Sequence, residues 1–247
     1  SVAEIVIDRA ERRNAVNLEM WRSIPDAVAH ATENPAIRSI ILRGTGDKAF
    51  VAGADISEFD DVRCDAQTNH EFTRAVVAAT YALRSCRLPV IAQIQGFCIG
   101  GGIVLACACD IRISDESATF AVPAAKLGLG YEYENYEALL RIVGYGAAAQ
   151  IVLTAQPIDA QRALQIGLVQ EVISTEKLGS RVREITNQIA ALAPMTLAAT
   201  KASALAAADP ALRSQAASAI DACFDSDDFA EGRRAFSERR PPVFQGK

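Results

Sequence analysis

The sequence predicts an α/β domain with mainly parallel strand pairing, followed by a helical C-terminal segment. Short apolar segments typical of strands alternate with helical patterns over the first two thirds of the 247 residues. Past about Gly167 one further strand is expected, and alanine-rich helices follow it. Half of the residues are hydrophobic and 22% are charged, so the chain can bury a sizeable core.

Local signals place the individual elements along the chain. Asn17 is suited to cap the first helix, Gly44 and Gly96 end strands, and three glycines at 100–102 open an apolar helix. The predicted strands are 2–7, 39–44, 90–94, 110–114 and 169–173. The predicted helices are 17–30, 69–84, 103–106, 176–192, 195–208, 210–224 and 227–239.

A soft boundary is expected near residue 190. Residues 1–190 would form the α/β core, and 191–247 a helical region. Alanine-rich helices have small faces that pack closely, often against another subunit. We therefore expect the C-terminal region to build an oligomer.

Composition excludes several classes of protein. The net charge of −5 implies no broad basic surface, so nucleic acid is not an expected partner. The apolar stretches near Val90 and Ile99 are broken by Gln93, Gln95 and glycines, so no membrane span is expected, and no signal segment is visible. Six cysteines without a CxxC pair indicate free thiols in a reducing cytoplasm, and no metal site is predicted.

Three segments could carry chemistry, and each has a purely structural alternative. KAFVAGADI at 48–56 could bring backbone close to a ligand, or could be a tight strand-to-helix turn. QGFCIGGG at 95–102 could present helix N-terminal N–H groups to negative charge, or could allow close helix packing. KLGLGYEYEN at 126–135 could place acidic and aromatic groups in a site, or could be a loop before an acidic helix start.

Together these segments resemble the crotonase (enoyl-CoA hydratase/isomerase) superfamily over nearly the whole chain. ERRNAV at 11–16, ACDIRIS from Ala108, TAQPIDAQRALQIGLVQEV from Thr154 and FDSDDFAEGRRAFSERRPPVF from Phe224 match further blocks of that family in order. The resemblance implies a crotonase-like spiral core of ββα turns with a C-terminal helical region that forms trimers, often paired into hexamers. It also implies an acyl-CoA thioester substrate, with coenzyme A as part of that substrate and no separate cofactor.

The resemblance assigns roles to individual positions. Ala54 and Gly101 would donate backbone N–H groups to the thioester oxygen, as an oxyanion hole. Coenzyme A contacts would come from Arg13 and Ala15 near the adenosine-phosphate end, and from Phe236 and Arg239 over the adenine, in this or a neighbouring subunit. The remaining implied substrate contacts are Ala52, Asp55 and Ile56.

The sequence departs from the family's hydratases at both catalytic carboxylates. The positions that carry the two glutamates are Val104 and Ala124 here, and neither side chain can move a proton. Glu132, with Tyr131, is the expected replacement, and parts of the chain look closest to the methylmalonyl-CoA decarboxylase branch. Isomerisation, decarboxylation and retro-aldol cleavage stay open for an enzyme. The alternative is a non-catalytic subunit that binds coenzyme A or serves assembly.

Overall fold

The computed structural model describes residues 1–247 and contains nine strands and ten α-helices. The strands are β1 Val2–Ile7, β2 Ser39–Gly44, β3 Ala49–Val51, β4 Val90–Ile94, β5 Phe97–Ile99, β6 Ile111–Asp115, β7 Thr119–Ala121, β8 Ile158–Asp159 and β9 Glu171–Ile173. The helices are α1 Leu18–Glu33, α2 Phe59–Val62, α3 Ala66–Ser85, α4 Gly101–Ala108, α5 Tyr133–Thr154, α6 Ala160–Gln165, α7 Thr175–Ala190, α8 Pro194–Ala208, α9 Arg213–Phe224 and α10 Asp227–Glu238.

Two sheets organise the core. Five strands pair in parallel in the order β1-β2-β4-β6-β9. A smaller sheet has the order β3-β5-β7-β8, and only its last pair is antiparallel. Along the chain, a strand of the larger sheet is followed by a strand of the smaller one, so that β5 comes directly after β4 and β7 directly after β6. This repeated order confirms the mixed α/β class with parallel pairing.

The larger sheet is buried on both faces, as parallel sheets require. On one face, alternate residues of the central strands pack against α7. That face consists of Ile41, Ile91 and Ile113, with Leu178, Val182, Ile185 and Ile189 from the helix. The other face belongs to the main core, in which Trp21, Phe50 and Phe120 are the largest fully buried side chains. The main core lies between the sheet and helices α1, α3 and α4.

Several predicted elements need correction. The smaller sheet was missed entirely, because its strands are two or three residues long and give no periodic signal. Helices α2 and α6 were also missed, and of helix α5 only an acidic start near residue 132 was considered, as the structural alternative for residues 126–135. The strand expected at 169–173 covers only Glu171–Ile173, and the helix expected at 210–224 begins as a 3-10 turn at Pro210–Leu212. Asn17 caps α1 as predicted, accepting a hydrogen bond from the Met20 N–H.

The C-terminal helices attach to the core through a buried lysine. Lys201 of α8 donates from Nζ to the Asp110 carboxylate at 2.6 Å and to the Leu88 carbonyl at 3.0 Å. Its ammonium group is therefore paired as well as buried, which is the condition under which burying a charge is tolerated. The division of the chain at residue 190 stays a prediction.

Helix α5 is a long apolar element whose length was not predicted from the sequence. By length and composition it could cross a membrane, with a mean hydropathy of 1.2 over 18 residues. Gly144 interrupts it at φ 74° and ψ 165°, so neither half is the continuous span of about 20 residues that a bilayer needs. Helices α7 and α8 pass the same test only as a pair, across a bend of 105°.

Candidate active site

A cavity of about 130 Å³ lies between the two glycine-rich segments and the start of α5. Its walls are mainly apolar, and Arg63 and Glu132 are the two charged residues that line it. Of the residues that the sequence singled out, it brings together Ala52, Ala54, Ile56, Gly101, Val104, Ala124, Tyr131 and Glu132. The three segments predicted to carry chemistry therefore meet at one place.

The backbone around Ala54 is fixed by a single parallel bridge to Val16. Val16 donates its N–H to the Gly53 carbonyl at 2.9 Å and accepts from the Asp55 N–H at 3.0 Å. In a parallel pairing the residue between those two partners turns its own N–H to the opposite side. The Ala54 N–H accordingly has no acceptor within the protein, and it is free to donate to a ligand.

The second donor comes from the start of α4, directly beside Ala54. Gly101 is the first residue of the helix, so its N–H lacks a partner one turn earlier in the helix. A methyl group built on Gly101 would lie 3.4 Å from the Ala54 nitrogen and 3.1 Å from the Trp21 ring. These short distances show that the backbone at Gly101 lies close to the Ala54 N–H, on one wall of the cavity.

Gly102 shows why this approach demands glycine. A Cβ atom there would lie 2.3 Å from the Val51 carbonyl oxygen, far inside any tolerable contact. Helix α4 can therefore reach β3 only without a side chain at this position. The structure thus contains both structural alternatives, the tight turn after β3 and the close packing of α4. The packing of α4 also fixes the position of the Gly101 N–H.

Asp55 stabilises this wall from behind. Its carboxylate pairs with Arg9 at 2.8 Å and accepts from the Ser57 N–H and hydroxyl. The Ser57 hydroxyl and the Arg9 guanidinium hold the pKa of the Asp55 carboxyl below its ordinary value. The carboxylate of Asp55 is thus occupied in a partly buried ion pair and a helix cap, and the predicted substrate contact of this residue stays a prediction.

Arg13 and Ala15 lie on the loop that braces the same wall. The Arg13 carbonyl accepts from the Ala52 N–H at 3.1 Å, and the Ala15 carbonyl accepts from Arg9 at 3.0 Å. The Arg13 guanidinium is exposed and sits 5.3 Å from the centre of the Phe97 ring. Arg13 does not line the cavity, and its predicted contact with a coenzyme A phosphate stays a prediction.

The opposite wall carries the two positions where hydratases have glutamates. Val104 lies in the first turns of α4 and is 5% exposed, while Ala124 follows Pro123 at the start of a 3-10 turn. Both line the cavity. Their placement agrees with the roles that the resemblance gives to these positions, and the wall there offers only hydrocarbon.

Glu132 supplies a carboxylate at the N-cap position of α5. Its Oε1 accepts a hydrogen bond from the Asn69 side-chain nitrogen Nδ2 at 2.8 Å. The Asn69 side-chain oxygen Oδ1 in turn accepts a hydrogen bond from Arg63 Nε at 2.9 Å. The Glu132 side chain makes no bond that caps its own helix, so the reading of it as a helix-start residue describes its position but not its partner. Asn69 orients the carboxylate and leaves Oε2 without a protein donor.

Tyr131 places an unpaired hydroxyl among the lining residues. The oxygen is buried without a hydrogen-bond partner, and burial raises the pKa of the phenol well above its usual range. The ring packs edge-on against Tyr136 with centroids 6.4 Å apart. Tyr131 therefore stays protonated at neutral pH and can act only as a hydrogen-bond donor or acceptor there.

Phe236 and Arg239 are not brought to the cavity within one chain. Phe236 is 86% exposed on α10, and Arg239 follows as the left-handed C-cap residue of that helix. Neither residue lines the cavity. Their predicted contact with the adenine would have to be made from a neighbouring subunit.

Sequence reasoning missed six polar or aromatic residues that shape the cavity. Five of them line it, namely Trp21, Phe59, Arg63, Phe72 and Thr73, and Asn69 orients Glu132. None of them stands in a recognisable motif, because they come from α1, α2, α3 and the turn between α2 and α3. The one available signal was the run of polar residues between Val62 and Phe72, which interrupts an otherwise apolar pattern.

Comparison with known proteins agrees with this geometry. The family model described as enoyl-CoA hydratase/isomerase matches residues 1–247. The crotonyl-CoA hydratase of Syntrophomonas wolfei is 34% identical over 100% of this chain and 95% of its own. A peroxisomal Delta(3,5)-Delta(2,4)-dienoyl-CoA isomerase of Arabidopsis thaliana is 31% identical over 99% of this chain and 92% of its own.

Solved structures extend the match to the fold. An enoyl-CoA hydratase/carnithine racemase from Magnetospirillum magneticum superposes with a TM-score of 0.93 at 37% identity, covering 100% of this chain and 92% of that one. None of these matches singles out the decarboxylase-like branch. The fold, the paired glycine-rich segments and the full-length match together show that the chain belongs to the enoyl-CoA hydratase/isomerase family, within the crotonase superfamily.

Proposed function

We propose that this protein is an enzyme that acts on an acyl-CoA thioester. The backbone N–H groups of Ala54 and Gly101 would hold the thioester oxygen, and Glu132 would transfer the proton. The observation that carries the proposal is the unpaired Ala54 N–H beside the first residue of α4, in the same cavity as the Glu132 carboxylate.

The oxyanion hole accounts for the step shared by the candidate reactions. Removing a proton from the carbon next to the thioester, or breaking a bond to that carbon, leaves negative charge on the thioester oxygen. Fixed backbone donors stabilise that charge without reorganising, and one such donor is worth about 3–4 kcal/mol in the transition state. Isomerisation, decarboxylation and retro-aldol cleavage all pass through such an enolate.

Ordinary enoyl-CoA hydration fits this cavity poorly. Water must be oriented and deprotonated, and Val104 and Ala124 offer no group for either task. Glu132 is a single carboxylate, and one of its oxygens is held by Asn69. We therefore favour a reaction that needs one acid/base group rather than two.

A non-catalytic role is the second candidate, favoured by the same two substitutions. A subunit that binds coenzyme A or serves assembly would keep the family's fold and backbone donors while losing its carboxylates. The orientation of Glu132 by Asn69 and Arg63 argues for the enzyme, since a solvated helix-start carboxylate needs no such support.

Assembly and coenzyme contacts complete the proposal. Exposed apolar residues on α5, α9 and α10, among them Leu153, Phe224 and Phe236, support a homotrimer or hexamer. Such an assembly could carry Phe236 and Arg239 to a neighbour's cavity, opposite Arg13. Light scattering at micromolar concentration tests the assembly, and a monomer would contradict it.

The decisive experiment is an acyl-CoA panel followed by mass spectrometry, repeated with Glu132→Gln. We expect at least one acyl-CoA to be converted, and turnover to fall about 100-fold or more in the variant with coenzyme A affinity nearly unchanged. Glu134→Gln is the matched control, because that glutamate is exposed two residues further on and does not line the cavity. An equally active Glu132→Gln variant would overturn the role of Glu132, and a panel without turnover would favour the non-catalytic subunit.

A further inference from the structure

Arg63 is a partly buried cation in the wall of a mainly apolar cavity. Its guanidinium carbon lies 5.0 Å from the centre of the Phe59 ring and 4.7 Å from the centre of the Phe72 ring. The two rings themselves pack edge to face, with centroids 6.5 Å apart. Contact with two aromatic rings holds the guanidinium in place at the cavity wall.

Most of the donors of Arg63 are unused. Nε donates to the Asn69 side chain at 2.9 Å, and neither terminal nitrogen has an acceptor in the protein. No carboxylate forms an ion pair with the Arg63 guanidinium. Glu132, the other charged group that lines the cavity, affects the pKa of Arg63 through its charge but makes no direct contact with it. The fork of N–H groups that normally binds a carboxylate is therefore preformed and empty.

The surroundings make an unpaired cation costly here. Burial lowers the pKa of the Arg63 guanidinium, and the Glu132 charge only partly offsets it. Such a group keeps its charge at any physiological pH, so it needs a partner of opposite charge when a ligand excludes water. Thr73, the residue after Phe72, lines the same cavity and has a buried hydroxyl without a partner.

We propose that Arg63 binds a carboxylate on the acyl group, so that the substrates are acyl-CoA thioesters of dicarboxylic acids. The planar fork suits bidentate recognition of a carboxylate, and Phe59 and Phe72 hold it in place. Glu132 and the Ala54–Gly101 donors lie in the same cavity, so one acyl chain can reach all three. The inference rests on the proposed acyl-CoA function and adds the chemical class of the acyl group.

Binding measurements with matched ligands test this directly. Succinyl-CoA and butyryl-CoA have the same chain length and differ by the terminal carboxylate, and glutaryl-CoA and valeryl-CoA form a second such pair. Calorimetry on the full-length protein should show each carboxylated ligand binding at least about tenfold more tightly than its apolar partner. The ratio of the two affinities is the readout, which cancels the contribution of coenzyme A.

Substitutions then locate the preference. Arg63→Met should reduce the ratio to about one or below, while Arg63→Lys, which keeps the charge but not the fork, should retain part of it. Arg74→Met is the matched control, since Arg74 is an exposed cation on α3 outside the cavity, and it should keep the full ratio. If Arg63→Met does not fold, Arg63→Lys tests the same prediction, because its affinity ratio should fall below that of the parent protein.

The outcomes separate this inference from the proposed function. Equal binding of succinyl-CoA and butyryl-CoA by the parent protein, or a preference that survives Arg63→Met, would overturn the role of Arg63 and leave the acyl-CoA function intact. If neither butyryl-CoA nor coenzyme A binds at all, the acyl-CoA function fails and this inference fails with it.

Discussion

Two walls of one cavity differ in what supplies their chemistry. The backbone wall, residues 52–54 and 99–102, acts through N–H groups. The side-chain wall, residues 63, 104, 124, 131 and 132, acts through its side chains, and Asn69 holds Glu132 from outside the cavity lining. The second wall has Val104 and Ala124 where the resemblance expects the hydratase glutamates, and it carries Glu132 and Arg63. Under the proposed function, the difference teaches that an oxyanion site can be retained while the proton-transfer groups are replaced.

The two walls are constrained by different physical causes. On the backbone wall, Gly102 leaves no space for a Cβ atom beside the Val51 carbonyl, so a change there disturbs the packing of α4 on β3. On the side-chain wall, Val104 and Ala124 are apolar residues in an apolar cavity and cost no stability. Function can therefore change on the second wall without disturbing the first.

The largest expected effect comes from restoring the lost carboxylates. The parent protein should hydrate crotonyl-CoA very poorly, and Val104→Glu with Ala124→Glu should raise that rate by about 10²–10⁴-fold, the usual contribution of positioned acid/base groups. The hydration rate is measured by following the loss of the enoyl absorbance.

The double variant Val104→Gln, Ala124→Gln controls for polarity and size without supplying a base. An unmodified protein that already turns over crotonyl-CoA like an ordinary hydratase would break the comparison. It would mean that Glu132 handles water by itself.

A somewhat smaller effect is expected from disturbing the backbone wall. Gly102→Ala should push α4 away from Val51 and misalign the Gly101 N–H, reducing turnover of the best substrate by about 10²–10³-fold, as loss of an oxyanion donor does. Thermal unfolding should show a loss of stability in the same variant.

Gly179→Ala is the matched glycine control. Gly179 lies inside α7 with nothing within 4 Å of the added methyl group, so this change should keep turnover and raise helix stability by about 0.5–1 kcal/mol. A Gly102→Ala enzyme with full activity would show that the donor geometry does not depend on this close approach.

The close backbone approach on the backbone wall could be predicted from the sequence. Glycines at 100–102 and the small residues around Ala54 indicate close backbone approach, and the structure provides it. The larger sheet was predicted because four of its five strands have five or six residues, which is long enough to give a continuous apolar signal. The smaller sheet was not, because its strands of two or three residues are defined by pairing with distant segments and not by local pattern.

The side-chain wall could be predicted only in part. Glu132 and Tyr131 were identified through their place beside a glycine-rich loop. Arg63 and Asn69 were not, because their importance comes from a hydrogen bond that joins residues 63 positions apart in the chain. The ion pair between Asp55 and Arg9 was not predicted either, because the two residues lie 46 positions apart in the chain.

The smallest effect concerns the unpaired hydroxyl of Tyr131 on the side-chain wall. A buried hydroxyl without a partner costs about 1–3 kcal/mol, so Tyr131→Phe should leave the free energy of unfolding unchanged or raise it by about 1 kcal/mol. Turnover should fall, by about tenfold, if the hydroxyl donates to the bound acyl group.

The pH dependence sharpens this last test. Because burial raises the pKa of Tyr131 in the folded protein, the unfolded chain loses its phenolic proton first as the pH rises past about 10. The stability of the parent protein should therefore decline above that pH relative to Tyr131→Phe, as urea unfolding at about pH 8 and about pH 10.5 would show. Tyr133→Phe, at a residue 71% exposed, should give no such difference. A Tyr131→Phe variant that is destabilised at pH 8 would mean that the hydroxyl has a hydrogen-bond partner in the folded protein. The polar groups of the side-chain wall would then be more completely hydrogen-bonded than those of the backbone wall.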